Sequence, residues 1–179
     1  MTSFSSPRLA LLCFVFIALS VDPSSAATEM VKRVCDKTSD YRYCVAALYS
    51  DPRTPNADAY FLAYISFGLA YLNATHTRDH ISGLLRSPGL TDRSPGLTSS
   101  LQSCSRHYAA AIAKFESAYN DLNSETFSDL AGYSGGGANA AEDCDRAFGG
   151  SAYAPLMAGR NRDLKRLSEI CTVVSKLFT

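Results

Sequence analysis

Apolar residues in "LQSCSRHYAAAIAKFESAYNDL" recur at alternating steps of three and four: Leu101, Cys104, Tyr108, Ala111, Phe115, Ala118 and Leu122. That stepping marks one buried face of a helix. "NSE" at 123–125 interrupts it with turn and capping chemistry. Phe127, Leu130, Ser134, Gly137, Ala141, Cys144 and Phe148 then resume the same rhythm, and Leu164, Leu167, Cys171, Val174 and Phe178 carry it once more. Upstream, Asp58 to Arg86 reads as one long helix with Phe61, Ile65, Leu69, Leu72 and Leu84 on its apolar side. The pattern predicts four long helices and no strands.

The two middle helices can be tested for register. In an antiparallel hairpin about Ser124, level residues have numbers summing to about 248. The apolar positions obey this: 101 with 148, 104 with 144, 108 with 141, 111 with 137, 115 with 134, 118 with 130 and 122 with 127. Large faces small in several layers, as Phe115 opposite Ser134 and Leu130 opposite Ala118, which lets helices pack closely. Cys104 falls level with Cys144, so a disulfide there needs no extra movement. Gly135, Gly136 and Gly137 each weaken the second helix by about 1 kcal/mol relative to alanine, so a kink or local break is expected there.

Cys35 and Cys44 require a different geometry. Nine residues along one straight helix would separate them by about 13.5 Å, whereas a disulfide tolerates Cα separations up to about 7 Å. Either they are unpaired or the chain reverses between them. "KTSD" at 37–40 is turn material, and Asp40 can cap a following helix. This predicts a short helix, a turn and a second helix, stapled by Cys35–Cys44. Cys171 is left as a free thiol packed like a small apolar residue. Between the long helices, "SPGLTDRSPGLTSS" (87–100) duplicates SPGLT; its two Ser-Pro-Gly turns are expected to exclude helix from the connection.

The first residues stand apart. Arg8 precedes an apolar run, Leu9 to Leu19, followed by "SSAA" at 24–27. A basic start, a short apolar core and small residues before the cut are the marks of a secretory signal peptide. Residues 1–27 are assigned to it, and residues 28–179 to one domain: a helical hairpin over 28–56 and a bundle over 57–179. The apolar run is shorter than the roughly 20 residues needed to span a bilayer, so no membrane partner is expected. Export into oxidising surroundings agrees with paired cysteines. The chain carries 17 basic and 17 acidic residues, and no basic stripe points to nucleic acid.

Candidate chemistry dissolves on inspection. "GYSGG" at 132–136 matches the G-x-S-x-G nucleophile elbow, but that motif needs a strand before Ser134 and here the preceding residues read as helix; His76, His80 and His107 all come earlier in the chain. His76 and His80 lie one helical turn apart without the glutamate of a zinc protease, so no metal is assigned. Asn73-Ala74-Thr75 is an N-glycosylation sequon. With no acid, base and nucleophile gathered, no catalytic residue, cofactor or small-molecule substrate is assigned, and a binding role is the default.

The C-x8-C segment "CDKTSDYRYC", the following "LYSDPRTPNADA" and the closing "SAYAPLMAGRNRDLKRLSEICTVVSKLF" together resemble the plant invertase and pectin methylesterase inhibitors, over residues 28–179. The resemblance implies an antiparallel four-helix bundle preceded by a helical hairpin. It implies the pairings Cys35–Cys44 and Cys104–Cys144, and activity in the cell wall or apoplast, or for some members the vacuole. It also implies stoichiometric inhibition by docking over the active-site cleft of a target enzyme, pectin methylesterase or acid invertase. Invertase inhibitors of this family often carry Pro-Lys-Phe at the turn between the second and third bundle helices. The matching residues are Glu125-Thr126-Phe127: phenylalanine is kept, proline and lysine are not, and the turn carries a carboxylate in place of a cation. That change favours pectin methylesterase as target, with acid invertase as the alternative and an extracellular small-ligand carrier as a more distant one. Phe127 is also a core position, level with Leu122.

Overall fold

The computed structural model describes residues 28–87, 89 and 94–179. The signal-peptide assignment and most of the first SPGLT copy lie outside these residues. Six helices make up the described chain: α1 (Glu29–Cys35), α2 (Tyr41–Leu48), α3 (Ala59–Leu85), α4 (Pro95–Asn123), α5 (Leu130–Phe148) and α6 (Pro155–Ser175), with a 3-10 turn at Thr54–Asn56. Among the described residues there is no strand.

Side-chain caps set three of the starts. Thr28, Asp40 and Asp58 accept from the backbone N–H of Val31, Tyr43 and Phe61, each satisfying a donor that has no partner within its helix. α4 starts differently, and it corrects one expectation. Ser-Pro-Gly was expected to exclude helix up to residue 100, yet Pro95 is the first residue of α4. A proline at that position loses no hydrogen bond, and its fixed φ suits the first turn.

α3, α4, α5 and α6 pack as a ring, each against its sequence neighbour and α6 against α3. That is the four-helix bundle with short reversals. Its interior is filled by Tyr108, Phe67, Phe115, Leu101, Leu122, Leu130, Met157 and Leu164, all fully buried. Every predicted apolar position of α4 is buried, as are Leu130, Ser134, Gly137, Ala141, Cys144 and Phe148 of α5. Cys104 and Cys144 are bridged, with Cα atoms 4.5 Å apart.

The level partners need one adjustment. Side chains lean toward the N-terminus of their own helix, so the Phe115 ring reaches past Ser134 to the level of Gly137. A Cβ at Gly137 would stand 2.4 Å from Phe115 Cζ and 2.5 Å from Ser168 Oγ. The glycine is therefore a packing requirement, and α5 runs from Leu130 to Phe148 without the local break that was one of the two expectations there. Close contact with α4 and α6 outweighs the weak local propensity.

α3 departs most from the sequence reading. Ile65 is buried, but Phe61 and Leu72 are 43% and 50% exposed, and Leu69 and Leu84 are only partly covered. The buried face is Leu62, Ala63, Ile65, Ser66, Phe67, Ala70, Ala74, Thr77 and Ile81. This helix is apolar nearly all round in its first half, so spacing could not choose a face. Close neighbours favour the side carrying small residues.

α1 and α2 form the predicted hairpin, bridged by Cys35–Cys44 with Cα atoms 5.5 Å apart. It docks against α6 and the flank of α3. Ser39 donates its backbone N–H and hydroxyl to the two Glu169 carboxylate oxygens, at 2.9 and 2.6 Å. Asp40, besides capping α2, pairs with Arg166 at 2.9 Å, and the Arg166 guanidinium lies 5.0 Å from the centre of the Tyr43 ring. One short turn thus caps a helix and anchors the hairpin.

Candidate functional site

The α4–α5 turn is built around Glu125. Its N–H donates to the Leu122 carbonyl at 3.1 Å, and the Thr126 N–H donates to the Asp121 carbonyl at 2.9 Å. This bond pair is the Schellman helix stop, which needs a left-handed residue at its centre, usually glycine. Glu125 fills that position with φ of 54°, alone among described non-glycine residues. The strained backbone holds Glu125 and Thr126 outward, both exposed. Phe127 turns inward. It is half-buried, and its ring stacks on Phe178 with centroids 4.6 Å apart and planes 21° apart. The three candidate contact residues are thus split, two facing solvent and one packed.

Beside this turn runs a strip of tyrosines that sequence reasoning missed. Tyr60, Tyr64 and Tyr71 lie along α3 and Tyr119 on α4. Successive ring centroids are 6.2 Å (Tyr60–Tyr64), 4.8 Å (Tyr64–Tyr119) and 6.2 Å (Tyr119–Tyr71). Tyr60 donates to the Leu122 carbonyl at 3.2 Å and Tyr64 to the Asn123 side chain at 3.3 Å, tying the strip to the end of α4. Tyr119 donates to the Tyr64 carbonyl at 3.5 Å. Gly68 permits this approach, since a Cβ there would meet the Tyr119 hydroxyl oxygen at 2.4 Å. Burial, with Tyr64 next in effect, pushes the Tyr119 hydroxyl up to about 12, so it remains a neutral donor. The exposed Phe61 ring continues the surface, with the Arg53 guanidinium 5.7 Å above it.

Half-buried tyrosines, three of the four with their hydroxyls hydrogen-bonded, present large, rigid contact area at small entropic cost. The signal was present in the sequence: Tyr60, Tyr64 and Tyr71 are spaced by four and seven, one helical stripe. The missing information was that Tyr119 would join them from another helix.

The other candidates fall elsewhere. Ser134 is buried inside the bundle, donating to the Ala131 carbonyl at 2.8 Å and lying 2.7 Å from the Thr172 hydroxyl. It is a contact between α5 and α6, with helical backbone on both sides in place of the strand-to-helix turn of an elbow. His76 is exposed and His80 half-buried. Burial, then Arg160, lowers the His80 imidazole below its ordinary value. Among the described residues no three His, Cys, Asp or Glu side chains are grouped to hold a metal. Cys171 is a buried free thiol, pushed up to about 12 by burial. Asn73 lies half-buried in a groove beside α2.

A helical bundle with a stapled hairpin and an aromatic face at one end presents the kind of surface on which a protein partner docks. The family model for plant invertase/pectin methylesterase inhibitor matches residues 29–174. The chain belongs to that family. It is 34% identical over 178 residues to the cell wall / vacuolar inhibitor of fructosidase 2 of Arabidopsis thaliana, covering 95% of this chain and 93% of the relative. It is 32% identical over 166 residues to the pectinesterase inhibitor of Actinidia deliciosa, covering 92% and 86%. Among solved structures, a mutant form of a pectin methylesterase inhibitor from Arabidopsis superposes with a TM-score of 0.71 at 19% identity, over 84% of this chain and 97% of that one. Among the described residues, no helix is long and apolar enough to cross a membrane.

Proposed function

We propose that this protein is a secreted inhibitor that docks stoichiometrically over the active-site cleft of pectin methylesterase in the plant cell wall. The inhibitory role follows from the family, whose relatives are named for pectinesterase and for fructosidase. The choice of target rests on one observation: the α4–α5 turn presents the exposed Glu125 carboxylate and no cation, Thr126 standing at the position where the invertase inhibitors it resembles often carry lysine. A carboxylate held out by strained backbone would repel the acidic centre of a sugar-cleaving enzyme. The tyrosine strip supplies the apolar anchors such a contact needs, and Arg53 and Asn123 supply a polar rim.

Acid invertase is the second reading, favoured by the 34% identity to the fructosidase inhibitor. The same relative's name supports a cell-wall, apoplastic or vacuolar location. A small-ligand carrier finds no support in the bundle interior, which Tyr108, Phe67, Phe115 and Met157 occupy. Recombinant protein titrated separately against plant pectin methylesterase and acid invertase decides among them. Full loss of pectin methylesterase activity at about one equivalent, with invertase spared, is the expected result. The reverse pattern moves the assignment to invertase, and loss of neither activity at excess protein overturns the inhibitor reading.

A further inference from the structure

The sequon at Asn73 opens onto a built groove. Between α2, α3 and α6 lies an open groove of about 390 Å³ lined by Tyr43, Ala46, Ala47, Leu69, Asn73 and Leu167, with Ser50 at its edge. The side-chain amide oxygen Oδ1 of Asn73 is buried without a hydrogen-bond partner. The Tyr43 ring is fixed on the side toward α6 by Arg166, and its hydroxyl lies 3.4 Å from the Asp163 carbonyl.

We propose that Asn73 carries an N-linked glycan whose first N-acetylglucosamine seats in this groove and clamps the α1–α2 hairpin to the bundle. This rests on the reading that the chain is exported. The groove's volume falls in the range of small-ligand sites, about 300–1,000 Å³. Its chemistry fits a pyranose: a fixed aromatic ring and small apolar side chains for the sugar's C–H face, and the Ser50 hydroxyl, which donates to the Ala47 carbonyl at 2.6 Å and is left to accept from a sugar O–H. The attachment is an ordinary group transfer. The Asn73 amide nitrogen bonds to the anomeric carbon of a lipid-pyrophosphate-linked oligosaccharide, the lipid pyrophosphate leaves with the bonding electrons, and the amide proton passes to the transferase. Transfer takes place on the extended chain, so the burial of Thr75 Oγ1 in the folded protein does not obstruct it.

The test expresses the full chain in a glycosylating yeast and measures the intact mass of protein recovered from the medium. A glycan at residue 73, absent from Thr75→Ala and retained in Thr75→Ser, is expected. Secreted protein with an unmodified Asn73 overturns the proposal. If no protein reaches the medium, the export reading fails by itself, and the chain behind a yeast leader gives the same two outcomes for the site. For the clamp, endoglycosidase H trims the wild type to one sugar, and its hydrogen exchange is compared with that of Thr75→Ala. Amides of α2 should exchange at least about threefold more slowly with the sugar present, while those of α4 and α5 are unchanged. Equal exchange in α2 overturns the seated sugar.

Discussion

Gly137 of α5 and Phe115 of α4 share one space: the phenyl ring occupies the volume that any side chain at 137 would fill, with Cζ 2.4 Å from a Cβ built there. Gly137→Ala forces this buried ring and Ser168 apart. Overpacking of this kind costs about 1–3 kcal/mol, more than the roughly 1 kcal/mol of helix propensity gained. At Gly135 in the same helix a Cβ meets nothing within 4 Å, so Gly135→Ala should stabilise by up to about 1 kcal/mol. Urea midpoints of the two variants should move in opposite directions. A shift of the same sign in both would show that the contact yields without cost.

Glu125 occupies a left-handed position that glycine takes more easily. Glu125→Gly relieves about 1–2 kcal/mol of backbone strain, part of which the freer unfolded chain takes back. A rise in melting temperature of about 3 °C is expected by calorimetry. Glu125→Lys keeps the strain and reverses the charge, and it should strengthen binding to acid invertase about tenfold in the titration described above.

Phe127 stacks on Phe178 across the open end of the bundle. If packing is its task, Phe127→Ala and Phe178→Ala destabilise alike, by roughly 1–3 kcal/mol for half-buried rings, and both still inhibit. An inhibition constant weakened more than tenfold by Phe127→Ala alone would place the ring in the contact with the target.

The two disulfides close loops of different length, with sequence separations of 9 and 40. Replacing both cysteines of Cys104–Cys144 by alanine should cost about 4 kcal/mol, and of Cys35–Cys44 about 3. The second loss should leave the bundle intact, because α1 and α2 are a separate pair beside it. Calorimetry with far-ultraviolet dichroism checks both statements.

Cys171 links stability to alkaline pH. Its thiol is raised by burial from about 9.0 to about 12. Below pH 9 it is protonated in both states and the folded form keeps its full advantage. Between pH 9 and 12 only the unfolded chain loses the proton, so stability falls with rising pH by about 1.4 kcal/mol per unit from this group. Tyr43 and Tyr119, raised from 10.0 to about 12, add to the slope above pH 10. Urea unfolding at pH 8.5 and pH 10 should show a smaller loss in Cys171→Ala than in the wild type. Iodoacetamide at pH 8 should label Cys171 only after unfolding, with no reductant needed.

The three-and-four stepping of α4 and α5 is enough to set their register and bring Cys104 beside Cys144, because each helix has one apolar stripe and a short turn leaves one way to face them. The nine-residue step from Cys35 to Cys44, too long for a bridge along one helix, likewise requires the chain to reverse if the two are paired. α3 could not be read this way. Its first half is apolar on every side, and the bundle chose the face with Ala70, Ala74 and Thr77, leaving Phe61 and Leu72 to solvent. The start of α4 at Pro95, the inward turn of Phe127 onto Phe178 and the gathering of Tyr119 with three tyrosines of α3 were also decided by packing. Periodicity along one helix specifies which residues want cover. Which helix supplies it, and which aromatic side chains are left standing at the surface, depends on distances between segments remote in sequence.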